Sequence, residues 1–208
     1  MIPKNIFTYW EGPKSLIVEL CFKKMKEINY DWNIYILDNT SIKNFIDDYK
    51  INLKNVRHKA DWYRLCLIEK YGGVWIDAST LFIDHIEKFI DIKSEKFIGF
   101  SAPWYENAIE NWFFAAPKDN KLIKDWKKEF KYAIDIGFFN YKILNKGVID
   151  HLVWKKMPYF TQHGSFLKLD IKNKTNIIKS CDGPFKCFCD NNWNGIEVSK
   201  KILNNKFI

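Results

Sequence analysis

Between residues 16 and 28 apolar side chains recur at helical intervals, with lysines on the opposite face, which predicts an amphipathic helix. Residues 5–10 before it form a short apolar run broken by Glu11-Gly12-Pro13, and read as a first strand. Residues 32–37 alternate as a second strand. Asp38-Asn39-Thr40-Ser41 closes that strand and puts Thr40 or Ser41 in place to cap a helix over 42–49. Further on, 96–101 and 112–116 read as strands, 120–136 as a long amphipathic helix, 141–156 as at least one more helix, and 196–205 as a final one. Strands alternating with helices predict an α/β fold with a mainly parallel sheet flanked by helices. With no internal repeat and no low-complexity linker, one domain over 1–208 is the expectation.

Chemistry concentrates in His58 to Thr80, HKADWYRLCLIEKYGGVWIDAST. Asp61 and Arg64 are three apart and share a helix face. Gly72-Gly73 supplies the positive φ that ends a helix. Val74-Trp75-Ile76 suits a buried strand. Asp77-Ala78-Ser79 then leaves the sheet at a strand's carboxyl end, where open α/β sheets bind ligands. An acid, a base and a second acid in one compact unit can hold a nucleotide diphosphate and its metal. Each residue also has a plainer reading. Asp77 suits a turn cap, Asp61 and Arg64 a surface ion pair, and Tyr9, Trp10 and Trp75 core packing.

This segment resembles the sugar-binding region of DXD-containing glycosyltransferases, in particular the capsular polysaccharide synthesis group. Asp61, Arg64, Tyr71-Gly72-Gly73, Trp75 and Asp77 fall on that family's motif positions. The opening Ile2-Pro3-Lys4-Asn5-Ile6-Phe7-Thr8-Tyr9-Trp10 is similar to its first strand, and Asn111-Trp112-Phe113-Phe114-Ala115-Ala116-Pro117 to the strand after the DXD. The matches cover roughly 1–125, so that half is expected to bind the donor, and 126–208 to form a helical, acceptor-side and closing segment. The resemblance implies a GT-A-type fold and transfer of a sugar from a nucleotide diphosphate, a UDP-sugar in particular, to a glycan or lipid-linked acceptor with retention. It gives Asp77 a Mn²⁺ or Mg²⁺ ion, Arg64 the diphosphate or sugar hydroxyls, and Asp61 a sugar or ribose hydroxyl. Tyr9 and Trp10 would lie near the base, Trp75 near the ribose, and Asn111 near the transferred sugar.

The chain departs from a true DXD at Ser79, where the second acid would stand. A hydroxyl still reaches a metal or its bound water but brings no charge, so weaker metal binding is expected. That departure also motivates a rival class, a nucleotide-sugar or glycan-binding module without turnover. In the less patterned half the polar clusters are 150–151, 163–165 and 191–194. Asp150 and His151 are expected on a helix face. His163, in what reads as a Gly/Ser-rich loop, is the residue there expected to contact substrate.

Composition narrows the partners. The net charge is +8, from 33 basic and 25 acidic residues. That suits nucleotide diphosphate, anionic lipid or nucleic acid alike. The lysines are scattered, not gathered in a stripe, so a nucleic-acid partner is not expected, whereas peripheral contact with an anionic membrane is compatible. With 47% hydrophobic residues and no run long enough to span a bilayer, the chain reads as globular. The lack of a signal-like start places it in the cytoplasm or at the cytoplasmic face of a membrane. The five cysteines, Cys21, Cys66, Cys181, Cys187 and Cys189, are then expected as free thiols. The spacing of the last three is not that of a zinc ribbon, although His163 could join them as a ligand. No P-loop, Gly-x-Ser-x-Gly or His-Glu-x-x-His motif occurs.

Overall fold

The computed structural model describes residues 1–101, 108–172, 174–192 and 194; the helix expected over 196–205 lies outside them. In chain order come β1 (Asn5–Tyr9), α1 (Leu16–Ile28), β2 (Asn33–Leu37), α2 (Val56–Tyr71), β3 (Gly73–Ile76), β4 (Phe97–Ser101) and β5 (Ile109–Ala116). They are followed by α3 (Lys121–Ile136), α4 (Phe138–Leu144), α5 (His151–Lys156), α6 (Thr161–Leu167), β6 (Thr175–Lys179) and α7 (Lys186–Cys189). The strands make one sheet in the order β2-β1-β3-β5-β4-β6. β1 is parallel to β2 and β3, β4 is parallel to β6, and β5 runs antiparallel to both β3 and β4. This is the expected α/β fold, although its sheet is mixed, with three parallel and two antiparallel pairings, and the β2-β1-β3 parallel half carries the motif.

The period-two pattern divides the core between the two faces of the sheet. Phe7, Tyr9, Trp75 and Phe114 point into the layer beneath α2 and α3. Ile6, Val74, Ile76, Phe113 and Ala115 point to the opposite layer. α2 packs against β1, β3 and β5 on one side and against α3 on another, and residues 61–68 are buried without a break. That encirclement explains why α2 lacks a polar stripe. Asn55 caps its start by accepting the Arg57 N–H, and Gly72 ends it at φ 64°.

Three local expectations are corrected. Residues 42–49 form two 3₁₀ turns, Ile42–Asn44 and Asp47–Tyr49, separated by an extended Ile46. Carbonyls that a helix would use internally are taken by α2: Tyr71 donates to Phe45, Trp62 to Asp48 and Tyr63 to Tyr49. The turn before them is capped by Asp38, whose carboxylate accepts the Thr40 and Ser41 N–H groups, so neither hydroxyl caps a helix. The 141–156 stretch is helical as expected, in part of α4 and all of α5, divided at Gly147, where φ is 83°. Asp150 is the N-cap of α5, not part of its face. β6 was not anticipated, because five residues flanked by lysines give too little alternation to stand out.

The cysteine expectation also changes. Cys181 and Cys189 are joined in a disulfide, with Cα atoms 5.6 Å apart, while Cys21 and Cys66 are free and buried. A 3₁₀ turn over Ser180–Asp182 folds back onto α7 through hydrogen bonds from the Gly183 and Phe185 N–H groups to the Ser180 carbonyl. An odd cysteine count argues against a fully paired framework but says nothing about one local pair.

Candidate active site

The sheet and α2 place the motif side chains together. Because α2 turns back through Gly72-Gly73 into β3, its first half lies beside the carboxyl end of that strand. β5 is antiparallel to β3 with Ile76 opposite Phe113, so Asn111 arrives at the same end. The Asp77 N–H donates to the Trp112 carbonyl at 2.9 Å, which fixes the backbone where the strand ends.

Arg64 is the hub. Its side chain is only 4% exposed. Nη2 lies 3.2 Å from Oδ1 of Asp61 and 3.2 Å from Oδ1 of Asp77. Nη1 donates to the Asn111 carbonyl at 2.6 Å and Nε to the Ala60 carbonyl at 3.3 Å. The guanidinium also lies over the Trp75 ring, 5.0 Å from its centroid. A planar fork used this fully by protein acceptors holds neighbours in place.

Asp77 is the exposed member, with 39% of its side chain accessible. Its Oδ1 accepts from Trp75 Nε1 at 2.8 Å and from Arg64. Its Oδ2 has no protein partner among the described residues. Ser79 is exposed two residues on. The structure thus presents an anchored, partly exposed carboxylate with one oxygen unpartnered among the described residues, and an exposed hydroxyl two residues on. These are hard oxygen donors of the kind Mg²⁺ and Mn²⁺ take, and the set is short of charge by one acid.

Asp61 is buried. Burial pushes its pKa up to about 7, with Arg64 pulling it down and Asp77 pushing it further up. One guanidinium serves two carboxylates, so it cannot fully offset the desolvation of the buried one. Asn111 donates to Asp61 Oδ1 at 3.2 Å and to Gln162 Oε1 at 2.7 Å, and Gln162 Nε2 donates to the Asp61 carbonyl at 2.6 Å. Gln162, fully buried in α6, was not anticipated. Its sequence setting, Thr161-Gln162-His163-Gly164-Ser165, does not set it apart from its polar neighbours.

The remaining expected contacts fall into two sets. His163 is not in a loop but in α6, adjacent to Gln162, because the turn that opens at Pro158, whose carbonyl accepts the Thr161 N–H, leads straight into a helix. Its Nδ1 is sealed from water and has no hydrogen-bond partner among the described residues. Burial, aided by the nearby Arg64 charge, pushes its pKa down to about 3. Trp75 is 1% exposed and holds Asp77 from below. Tyr9 is also buried, its hydroxyl donating to Glu11 at 2.8 Å. Trp10 packs against Val18, Phe22 and Ala78, with its indole N–H shared between the Gly12 and Pro13 carbonyls. Trp10 is the only one of these three aromatics with a partly exposed side chain.

Asp61 and His163 should tilt stability in opposite directions with pH. A carboxyl raised to about 7 loses stability as pH climbs from its ordinary value of 3.8 through 7. A histidine depressed to about 3 contributes stability that is complete above its ordinary 6.5 and is lost as pH falls toward 3. Relative to the parent, Asp61→Asn should therefore gain stability as pH rises from about 4 to about 7, and His163→Phe should gain as pH falls from about 6.5. Urea unfolding across that range checks both. Difference curves flat in pH would show that neither group titrates as its burial demands.

Two other charged clusters are closed in themselves. Asp31, His85 and Glu87 come together at the amino end of β1. The Lys4 ammonium already lies 2.6 Å from Asp31 and 2.7 Å from Glu87, filling the role of a cation. The cleft along the second half of α2, lined by Asp48, Glu69 and Lys127, is also internally paired, with Lys127 2.8 Å from Glu69.

The family of capsular polysaccharide synthesis proteins matches residues 1–177. The chain belongs to that family. It is 26% identical over 160 residues to the O-glycosyltransferase braB of Annulohypoxylon truncatum, covering 64% of this chain and 38% of that protein. It is 26% identical over 154 residues to the probable glycosyltransferase FCK3 of Fusarium pseudograminearum (strain CS3096), covering 61% of this chain and 38% of that one. The chain thus spans well under half the length of these relatives. Among solved structures, the PaToxG glycosyltransferase superposes with a TM-score of 0.52 at 14% identity, over 80% of this chain and 66% of that one. The fold is GT-A-like.

Proposed function

We propose that this family member is a glycosyltransferase moving a sugar from a nucleotide diphosphate, most simply a UDP-sugar, to a hydroxyl of a glycan or lipid-linked acceptor. The observation that carries the reading is Asp77. It stands at the carboxyl end of β3 with Oδ1 held by Arg64 and Trp75 and Oδ2 unpartnered among the described residues. Family membership and the two glycosyltransferase relatives support it.

Asp77 and Ser79 would hold Mn²⁺ or Mg²⁺, which when bound neutralises the leaving diphosphate. Arg64 is a positioning residue in this reading: it holds Asp77 and Asp61, and its positive charge near the site favours a departing anion. Asp61 and Asn111 face the sugar as one hydrogen-bonded pair. Of Tyr9, Trp10 and Trp75, Trp10 is the one exposed enough to meet a base, while Tyr9 and Trp75 are buried in the core. In transfer with retention, the bond from the anomeric carbon to the diphosphate oxygen breaks, its electron pair leaving with the diphosphate. The acceptor oxygen bonds to the same face, and its proton passes to the departing phosphate oxygen. Residues 1–125 would bind the donor, and α3 to α6, with His163, would border the acceptor. No helix among the described residues is long and apolar enough to cross a membrane. In this reading the chain would work in the cytoplasm or at the cytoplasmic face of a membrane.

The test is purified chain with Mn²⁺ and a panel of UDP- and GDP-sugars, following slow donor hydrolysis and the melting temperature. Hydrolysis of one donor, lost with EDTA, is the expected result. Metal-dependent stabilisation without turnover across an acceptor panel would favour the binding-module reading that Ser79 motivates. Indifference to every donor would overturn both.

A further inference from the structure

α4 and α5 are clasped side by side. Lys142 Nζ donates to the Met157 carbonyl at 2.9 Å, Trp154 Nε1 donates to the Lys142 carbonyl at 2.8 Å, and the Lys142 ammonium lies 4.7 Å from the Trp154 ring centroid. Tyr141 turns inward and is fully buried. Residues two positions to either side of it on a helix point the opposite way. These are Phe139 and Ile143, which are 70% and 56% exposed. Val148 in the following turn and Leu152 on α5 are exposed as well. A surface that water alone had shaped would carry polar groups at these positions.

The charges around this apolar face are one-sided. Residues 138–160 hold Lys142, Lys146, Lys155 and Lys156 against a single acid, Asp150, which is spent on capping α5. Lys146, Lys155 and Lys156 are exposed and enter no ion pair among the described residues. The other exposed apolar group, Leu16, Ile17 and Leu20 on α1, differs here, since Lys23 and Lys24 nearby are both paired with Glu27. Aromatic and aliphatic side chains set among uncompensated lysines match the chemistry of a bilayer interface, where apolar groups enter the acyl boundary and ammonium groups meet anionic headgroups.

We infer that the outward face of α4 and α5 is a docking surface for an anionic lipid bilayer, with Phe139, Ile143, Val148 and Leu152 inserted and Lys146, Lys155 and Lys156 on the headgroups. The face precedes α6, which carries Gln162 and His163. Docking there would bring the acceptor side of the site to the membrane surface.

The test is co-sedimentation of the full chain with vesicles of phosphatidylglycerol in phosphatidylcholine, and with phosphatidylcholine alone. It needs no donor, so its outcome is separate from the transferase reading. Binding to the anionic vesicles only, weakening as salt rises, is expected. Phe139→Ser with Ile143→Ser should weaken it by at least about tenfold. Lys146→Gln, Lys155→Gln and Lys156→Gln together should weaken it on the order of 100-fold. These sites are exposed, so melting temperatures should stay near the parent's. No binding, or binding that neither variant changes, overturns the inference. So does a dimer seen by light scattering that Phe139→Ser with Ile143→Ser dissolves, which would assign the face to a second copy.

Discussion

Asp77→Asn is expected to cut donor turnover by roughly 100-fold or more, while leaving the melting temperature within a few degrees of the parent. The two effects separate because the two oxygens of Asp77 do different things. Oδ1 accepts the Trp75 indole N–H and a guanidinium N–H from Arg64. An asparagine carbonyl oxygen accepts both as well. Oδ2, which the amide NH₂ would replace, has no hydrogen-bond partner among the described residues, so no internal hydrogen bond is lost. The charge balance is also forgiving. Arg64 now faces two carboxylates, and Asp77 is one of the influences that push Asp61 upward. Neutralising Asp77 leaves Arg64 paired with Asp61 alone and relieves that repulsion. What is lost is the unpartnered negative oxygen, the group the proposed reading assigns to a divalent cation. Single-turnover donor hydrolysis at saturating Mn²⁺, set beside thermal melts of both proteins, reads the two quantities. Equal activity would sink the assignment of the metal to Asp77. A collapse in melting temperature would make Asp77 a structural residue, with activity lost through unfolding.

The local spacing of one segment revealed most of this centre. Asp61, Arg64, Gly72-Gly73 and Asp77 all lie within a single helix-turn-strand unit, where periodicity fixes which side chains share a face. Their division of labour was less visible. Arg64 looked like a ligand for phosphate because arginine so often is, yet it spends its fork on Asp61, Asp77 and the Asn111 carbonyl. Only β5, more than thirty residues later in the chain, supplies that carbonyl. Gln162 was out of reach for the same reason, since its partners Asp61 and Asn111 are brought to it by tertiary packing. His163 was misplaced because Gly164 and Ser165 suggest a loop when read locally, whereas in the structure Gly164 gives room for Ile149 and Met157 to pack against the helix. The helix expected over 42–49 failed from the opposite cause: side chains of α2 took its carbonyls. Patterns confined to one element were readable, while whatever depended on a partner from another element was not.

Gly73→Ala should be among the most damaging small changes at the described residues, costing about 3 kcal/mol or more and lowering the melting temperature by roughly 6–12 °C. Two independent costs meet at this residue. Its φ is 109°, where an L side chain is strained. A Cβ there would also sit 2.4 Å from the Asn5 carbonyl oxygen and 2.9 Å from Asn5 Cβ. Asn5 opens β1, the strand beside β3, so the clash can be relieved only by prising the two strands apart. Gly72 carries the same double burden, with φ 64° and a Cβ position 2.4 Å from the Lys118 backbone nitrogen. Gly147 provides the control. Its φ is 83°, but nothing lies within 4 Å of its Cβ position. Gly147→Ala should therefore show the backbone strain alone, about 1–2 kcal/mol. Denaturant unfolding of the three variants separates the terms. If Gly73→Ala cost no more than Gly147→Ala, the close approach of β1 to the turn would contribute nothing. If it costs more, the glycine pair is what allows α2 to reverse tightly enough to hold Asp61 and Arg64 beside the end of β3. In that case the variant's remaining folded fraction should also bind donor more weakly.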